Sequence, residues 1–274
     1  MDRFFLTGKT GTIGRFMSKN SLSANFELSD YQEIDKWCEQ TELENEAVVH
    51  LAAIVGESQV ISNPELARKV NVLGAIHFAQ AALDRGVKKF VFASTAHIYE
   101  PSPGALSENC NKKPQSLYAE MKNEAEEAIL EIYKSSLDKA VILRIFSVLD
   151  FCTKPYTLGG LITQAIKNRE RIQINNALDQ RDFLTPKSIA QTIEKCLESE
   201  IAGGIYNICS GRPRTVKEVA GEMLVKAGLP ENWFQYEQEN SRVPILYGDS
   251  SKIKNAVPGL EQLLRLNLSD FHTY

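Results

Sequence analysis

The chain has 274 residues, 43% hydrophobic and 24% charged, with 31 Lys plus Arg against 35 Asp plus Glu and a formal net charge of −4. This composition excludes intrinsic disorder over most of the length. It also lacks the basic footprint of a nucleic-acid binder, and no apolar run approaches the ~20 residues of a membrane span. The N-terminus enters a strand-like run at once and leaves no room for a signal peptide, so a soluble cytoplasmic protein is expected. The five cysteines are odd in number with no CxxC pair, and the four histidines lack ligand spacing. Neither a disulfide framework nor a metal site is expected.

Taken in chain order, strand and helix patterns alternate. Arg3–Thr7 is a short apolar run stopping at glycine, which reads as a buried strand. A helix is expected over Thr12–Lys19, a weak strand at Phe26–Leu28 and a helix at Tyr31–Gln40. Ala47–Ala53 reads as a second buried strand. Ser62-Asn63-Pro64 is a helix start, and that helix runs to about Arg85 before Gly86. Lys88–Ser94 is a third strand, Pro101–Pro114 a loop, Leu117–Ser135 a long amphipathic helix and Ala140–Phe146 a fourth strand.

Apolar strands alternating with helices imply an α/β fold with a parallel sheet covered on both faces. Ligands then bind at the carboxyl ends of the strands. Beyond residue 150 the pattern loosens into helices at Leu158–Asn168, Pro186–Glu198 and Val216–Ala227, with strands at Arg171–Ile174 and Gly204–Ile208. Residues 1–150 are expected to form a dinucleotide-binding domain that also carries the catalytic residues. Residues 151–274 are expected to be mainly a smaller substrate lobe.

Three motifs carry chemistry. The first is Thr7-Gly8-Lys9-Thr10-Gly11-Thr12-Ile13-Gly14, between a strand and an expected helix. Gly8 permits a tight turn, Gly11 lets backbone approach a pyrophosphate, and Gly14 allows close packing of helix on strand. The expected helix N-terminus would offer unpaired N–H groups to the phosphates. No Gly-Lys-Ser/Thr closes the motif, which excludes a Walker A loop. The second is Tyr118 and Lys122, four residues apart and so on one helix face. A neighbouring ammonium stabilises phenolate, and such a pair can move a proton to or from a substrate oxygen. The third is the strand end Ser94-Thr95, whose hydroxyls stand where substrate is expected.

In this order the motifs resemble the extended short-chain dehydrogenase/reductase family, in its NAD-dependent epimerase/dehydratase branch. The resemblance implies a Rossmann-like doubly wound sheet with a smaller C-terminal α/β lobe. It covers nearly the whole chain. His50-Leu51-Ala52-Ala53 resembles the family's HxAA, whose backbone borders the cofactor, and Asn71-Val72-Leu73-Gly74 resembles its NxxG. Arg181-Asp182-Phe183-Leu184 is similar to the motif whose arginine contacts a nucleotide-sugar diphosphate. Gly204–Gly211 is similar to GxYNxGSG, and Asp249-Ser250-Ser251-Lys252 to DxSK.

By that resemblance Thr95, Tyr118 and Lys122 are the catalytic group. Tyr118 is the general acid/base, Thr95 a hydrogen-bond donor to the same sugar oxygen, and Lys122 a partner to Tyr118 and the nicotinamide ribose. NAD or NADP would lie on Gly8, Gly11, Thr12, Ile13, Gly14, Asp30, Leu51, Ala52, Ala53 and Asn71, together with Tyr118 and Lys122. The nucleotide-diphosphate sugar would meet Ser94, Thr95, Arg181 and Arg242. The helices around 64–85 and 117–135 form a four-helix dimer interface in relatives, which implies a homodimer.

The sequence departs from the family in four places. The stretch from Gly14 to His50 is short, and Glu27 and Asp30 both lie near the position that reads the adenosine ribose, although by resemblance Asp30-Tyr31 is more similar to the later acidic-hydrophobic pair beside the adenine. Choice between NAD and NADP stays open. Ala96-His97 stands where sugar-nucleotide 4,6-dehydratases carry Asp-Glu, which disfavours dehydration. Phe146-Ser147 replaces Phe-Asn, and Glu100 replaces a glycine. The expected activity is reduction of a 4-keto sugar nucleotide. A nucleotide-sugar 4-epimerase is the alternative, and a non-catalytic dinucleotide-binding regulator is a third reading from another class.

Overall fold

Strands that are apolar on both faces need helices on both sides. A computed structural model, describing residues 3–150, 157–174, 176–236 and 244–270, has this arrangement around a six-stranded parallel sheet. The strands are β1 (Phe4–Thr7), β2 (Ser21–Ser23), β3 (Ala47–His50), β4 (Lys89–Thr95), β5 (Ala140–Ile145) and β6 (Gly204–Ile208). Their spatial order is β6-β5-β4-β3-β1-β2.

Phe5, Val48, Phe90, Phe92 and Ile142 face one helical layer, meeting Ile34, Phe78 and Ile129. Those three belong to helices Tyr31–Gln40, Ala75–Asp84 and Leu117–Ile132. The alternate residues Phe4, Leu6, Val49, Val91 and Leu143 face the other layer, onto Ile189 and Ile193 of Pro186–Glu198 and Ile253 of Ser251–Ala256. This is the period-two geometry of a strand.

Two expected elements do not form. In place of a helix over Thr12–Lys19 there is one 3-10 turn, Gly14–Phe16. In place of a strand at Phe26–Leu28 there is loop, and the strand lies at Ser21–Ser23. Ser21 must pair with Phe4 at the start of β1, so the chain returns within a few residues of Gly14. Gly11 and Gly14, with the β-branched Thr10 and Thr12, further disfavour helix. Helix Pro186–Glu198 packs against this turn and covers that sheet face.

The long expected helix from Pro64 forms with an irregularity that its pattern did not show. Asn63 accepts from Leu66 N–H and caps Pro64–Arg68. A π-helical turn, Lys69–Gly74, follows, and Ala75–Asp84 is again α-helical. Gly74 closes the π turn against the loop after β2, where a Cβ would overlap the Leu28 carbonyl oxygen.

Residues after 150 serve two cores. β6 and Pro186–Glu198 belong to the central sheet and its cover. Helices Leu158–Asn168 and Val216–Lys226 pack together around Ile162, Phe183, Val219 and Met223 in a separate core.

Candidate active site

The site is built at the carboxyl ends of β1, β3, β4 and β5. After β1 the chain turns at Gly8, whose φ is +74°, a region that side chains disfavour. A Cβ there would stand 2.8 Å from Ala52 N, and one on Gly14 would overlap the Gly8 carbonyl oxygen. Gly11 N–H donates to Gly8 O at 2.9 Å, while the N–H groups of Thr12 and Ile13 donate to no backbone acceptor among the described residues. A single 3-10 turn lacks the aligned peptides of a helix, so the expected helix-terminus contribution is absent. What remains for an anion is the loop's own N–H groups. Arg15 Nη2 reaches Asp150 Oδ1 at 2.5 Å and ties this loop to the segment after β5.

The end of β3 is held by side chains. Thr7 Oγ1 lies 2.8 Å from His50 Nδ1 and accepts from Ala52 N at 3.2 Å. Asn71, on the π turn, accepts from Ile54 N at 2.7 Å and donates to Ile54 O at 2.9 Å. Leu51, Ala52 and Ala53 thus present their backbone along the cavity wall.

Thr95, Tyr118 and Lys122 share that cavity, of about 660 Å³, with the glycine loop. Thr95 Oγ1 accepts from His97 N–H at 3.3 Å, which leaves its own proton to donate. Ser116 caps the next helix through Ala119 N–H at 3.2 Å, which sets Tyr118 and Lys122 in its first two turns. Lys122 is 2% exposed, with Nζ 3.8 Å above the Phe92 ring.

Lys122 was expected to lower the Tyr118 pKa, but the structure gives the opposite balance. Burial pushes Tyr118 up to about 12. Burial also pushes Lys122 down to about 7, partly offset by Glu126. Removal from water penalises phenolate and ammonium alike. At neutral pH Tyr118 therefore keeps its proton.

Among the expected substrate residues, Ser94 turns its hydroxyl to Glu126 Oε2 at 2.7 Å. Glu126 is fully buried and pairs with Arg144, which reaches it at 2.5 Å and Tyr99 OH at 2.8 Å. Ser94, Arg144 and Asn207 stand in one row across β4, β5 and β6. Arg181 lines the cavity and pairs with Asp179 at 2.9 Å. Asp182 accepts from Ser210 N at 2.7 Å and Gly211 N at 2.8 Å, joining the two C-terminal motifs into one wall.

Asp30 is occupied elsewhere, capping helix Tyr31–Gln40 through Gln32 N and Glu33 N. Glu27 instead lines an adjoining cavity of about 290 Å³ that shares Gly8, Ala52 and Ala53 with the larger one. Arg242 lies outside the described residues. His97, Ser147 and Asp150 also line the main cavity. Sequence reading left them without a role, although His97 and Ser147 sit inside the motifs that depart from the family. Among the described residues no cluster suited to a metal ion is present.

The two joined cavities form a trough whose floor is a glycine loop with unpaired N–H groups. That shape and donor set fit a dinucleotide, with its pyrophosphate at the loop.

The comparisons agree with this geometry. A family model described as "NAD dependent epimerase/dehydratase family" matches residues 4–209. GDP-6-deoxy-D-mannose reductase of Pseudomonas aeruginosa is 23% identical over 239 residues, covering 79% of this chain and 77% of that protein. UDP-glucose 4-epimerase 4 of Oryza sativa is 27% identical over 249 residues, covering 80% and 68%. A solved structure of RMD from P. aeruginosa complexed with NADPH superposes with a TM-score of 0.80 at 20% identity, covering 98% of this chain and 99% of that one.

Proposed function

The chain belongs to the NAD-dependent epimerase/dehydratase family, and on that footing we propose that it reduces the 4-keto group of a nucleotide-diphosphate sugar. It is an NAD(P)-dependent enzyme of a family that modifies nucleotide sugars. What supports the choice of reduction is the likeness to GDP-6-deoxy-D-mannose reductase over 79% of this chain, with Thr95, Tyr118 and Lys122 gathered in the cofactor cavity.

Reduced nicotinamide, when bound, supplies hydride. Thr95 donates a hydrogen bond to the keto oxygen and polarises it. Tyr118 gives its phenolic proton to that oxygen as the alcohol forms. Lys122, one helical turn on, stabilises the phenolate left behind, which is restored by a proton from solvent. Thr12 and Ile13 N–H groups serve the pyrophosphate, Leu51–Ala53 form the cofactor wall, which Asn71 holds in place through Ile54, and Arg181 pairs with the sugar nucleotide's diphosphate. Glu27, in the adjoining cavity, is the acidic residue placed for the adenosine ribose.

The purified protein is to be incubated with NADH or NADPH and an NDP-4-keto-6-deoxyhexose. Stoichiometric loss of reduced cofactor with formation of the 4-hydroxy sugar is expected. Retained NAD, with epimerisation of UDP-glucose at carbon 4 and no net cofactor turnover, would instead establish a 4-epimerase.

A homodimer also fits. Leu66, Leu73 and Leu117 are 40%, 40% and 36% exposed on the helices that would meet. A scattering mass twice that of the chain is expected. The four cysteines among the described residues are all free thiols, which fits a reducing, cytoplasmic setting.

A further inference from the structure

His97 has no part in the proposed mechanism. It is the middle residue of the 3-10 turn Ala96–Ile98 that follows β4. Its neighbours Ala96 and Ile98 are fully buried, in a cluster with Tyr99, Leu106 and Phe146. With both neighbours held in that core, the His97 side chain is directed into the main cavity. Its backbone is pinned at both ends: the N–H donates to Thr95 Oγ1 at 3.3 Å, and the carbonyl accepts from Gln115 N at 3.0 Å.

Two other histidines use their rings within the protein. His50 Nδ1 meets Thr7 at 2.8 Å, and His77 Nε2 meets Asp35 at 2.6 Å. Neither ring nitrogen of His97 has a hydrogen-bond partner among the described residues. Burial, and then the charge of Arg181, push its pKa down to about 4. The ring is therefore neutral near pH 7, with one donor and one acceptor nitrogen. That combination complements a hydroxyl, which also both donates and accepts.

His97 is coupled to both functional ends of the cavity. It lies two residues from Thr95, at the reacting end, and close enough to Arg181 for that charge to oppose its protonation. A molecule reaching from a diphosphate at Arg181 to a reacting carbon at Tyr118 lays its sugar ring between them. We propose that His97 hydrogen-bonds a hydroxyl of that sugar ring and so reads the sugar rather than the nucleotide, an inference that rests on the nucleotide-sugar reading above.

The test is equilibrium binding to the purified full chain, as isolated. The probes are UDP-glucose, dTDP-glucose and GDP-mannose, each beside its parent diphosphate UDP, dTDP or GDP. For the sugar nucleotide that the wild type binds, His97→Ala and His97→Phe should each lose about tenfold in affinity, the scale of one hydrogen bond. Affinity for the parent diphosphate should not change, which also reports an intact fold. His97→Gln, which keeps a neutral donor and acceptor, should recover part of the loss. Equal losses for sugar nucleotide and diphosphate, or no loss in His97→Ala and His97→Phe, would overturn the assignment. A wild type that binds none of the six probes would overturn the nucleotide-sugar reading itself, and the inference with it.

Discussion

Tyr118 shows how much a residue's chemistry depends on its surroundings. In water its phenol would titrate near 10. In this cavity burial raises it to about 12, and Lys122 falls to about 7 for the same reason. A phenol near 10 already holds its proton at neutral pH, and burial holds it more firmly, in the form that can give a proton to a carbonyl oxygen. Removing the hydroxyl alone gives a direct test. Tyr118→Phe should lower turnover by about two orders of magnitude or more, the usual size of a lost general acid, while cofactor binding survives. Steady-state rates and a fluorescence titration of NADPH would measure the two effects. Unchanged turnover would remove Tyr118 from the mechanism.

Between elements, the buried pair Arg144–Glu126 joins β5 to the helix carrying Tyr118 and Lys122. Both side chains are nearly inaccessible, at 2% and 0%. Ser94 and Tyr99 complete their hydrogen bonds. A lone charge left in such a place is costly. Arg144→Met should therefore destabilise the fold by about 3–5 kcal/mol. The double variant Arg144→Met with Glu126→Met should lose far less, because no charge is stranded. Urea midpoints of the three proteins decide this. Equal losses in the single and double variants would show that packing, not charge, sets the cost.

For the whole molecule, the buried His50 sets an acid limit. It is 1% exposed among aromatic rings, and its pKa is pushed down to about 3 by burial and by Lys122. The unfolded chain takes up a proton on this residue near pH 6.5, and the folded chain does so only near 3. Between those values the unfolded state binds more protons, so stability falls as pH falls. By about pH 4.5 the loss from His50 should reach about 2–3 kcal/mol, at about 1.4 kcal/mol per pH unit. His97, pushed down to about 4, acts in the same direction. Denaturant midpoints at pH 7 and about pH 4.5 should show this fall, and His50→Gln should flatten it. An unaltered slope in the variant would mean that other groups govern the acid limit.

Much of this protein was legible in the sequence. Local patterns determined five of the six strands of the central sheet and most helices, because apolar runs, caps and glycine stops act over a few residues. Pro64 and Asn63 announced a helix, and Gly86 its end. The motifs holding Thr95, Tyr118, Lys122 and the glycine loop were readable one by one, because each is a short local pattern; the structure brings them to one cavity.

Contacts between distant residues were not readable. Pairing of Ser21 with Phe4 left no room for a helix after the glycine loop. The approach of Gly74 to Leu28 accompanies the π turn that orients Asn71. Glu27 comes to line one cavity with Ala52, Ala53 and Val70, residues far from it in the chain. The ionisation of Tyr118 and Lys122 follows from burial, which no spacing reveals. Each of these is decided by which groups lie close in space and how much water they keep. Those quantities exist only once the chain has closed on itself.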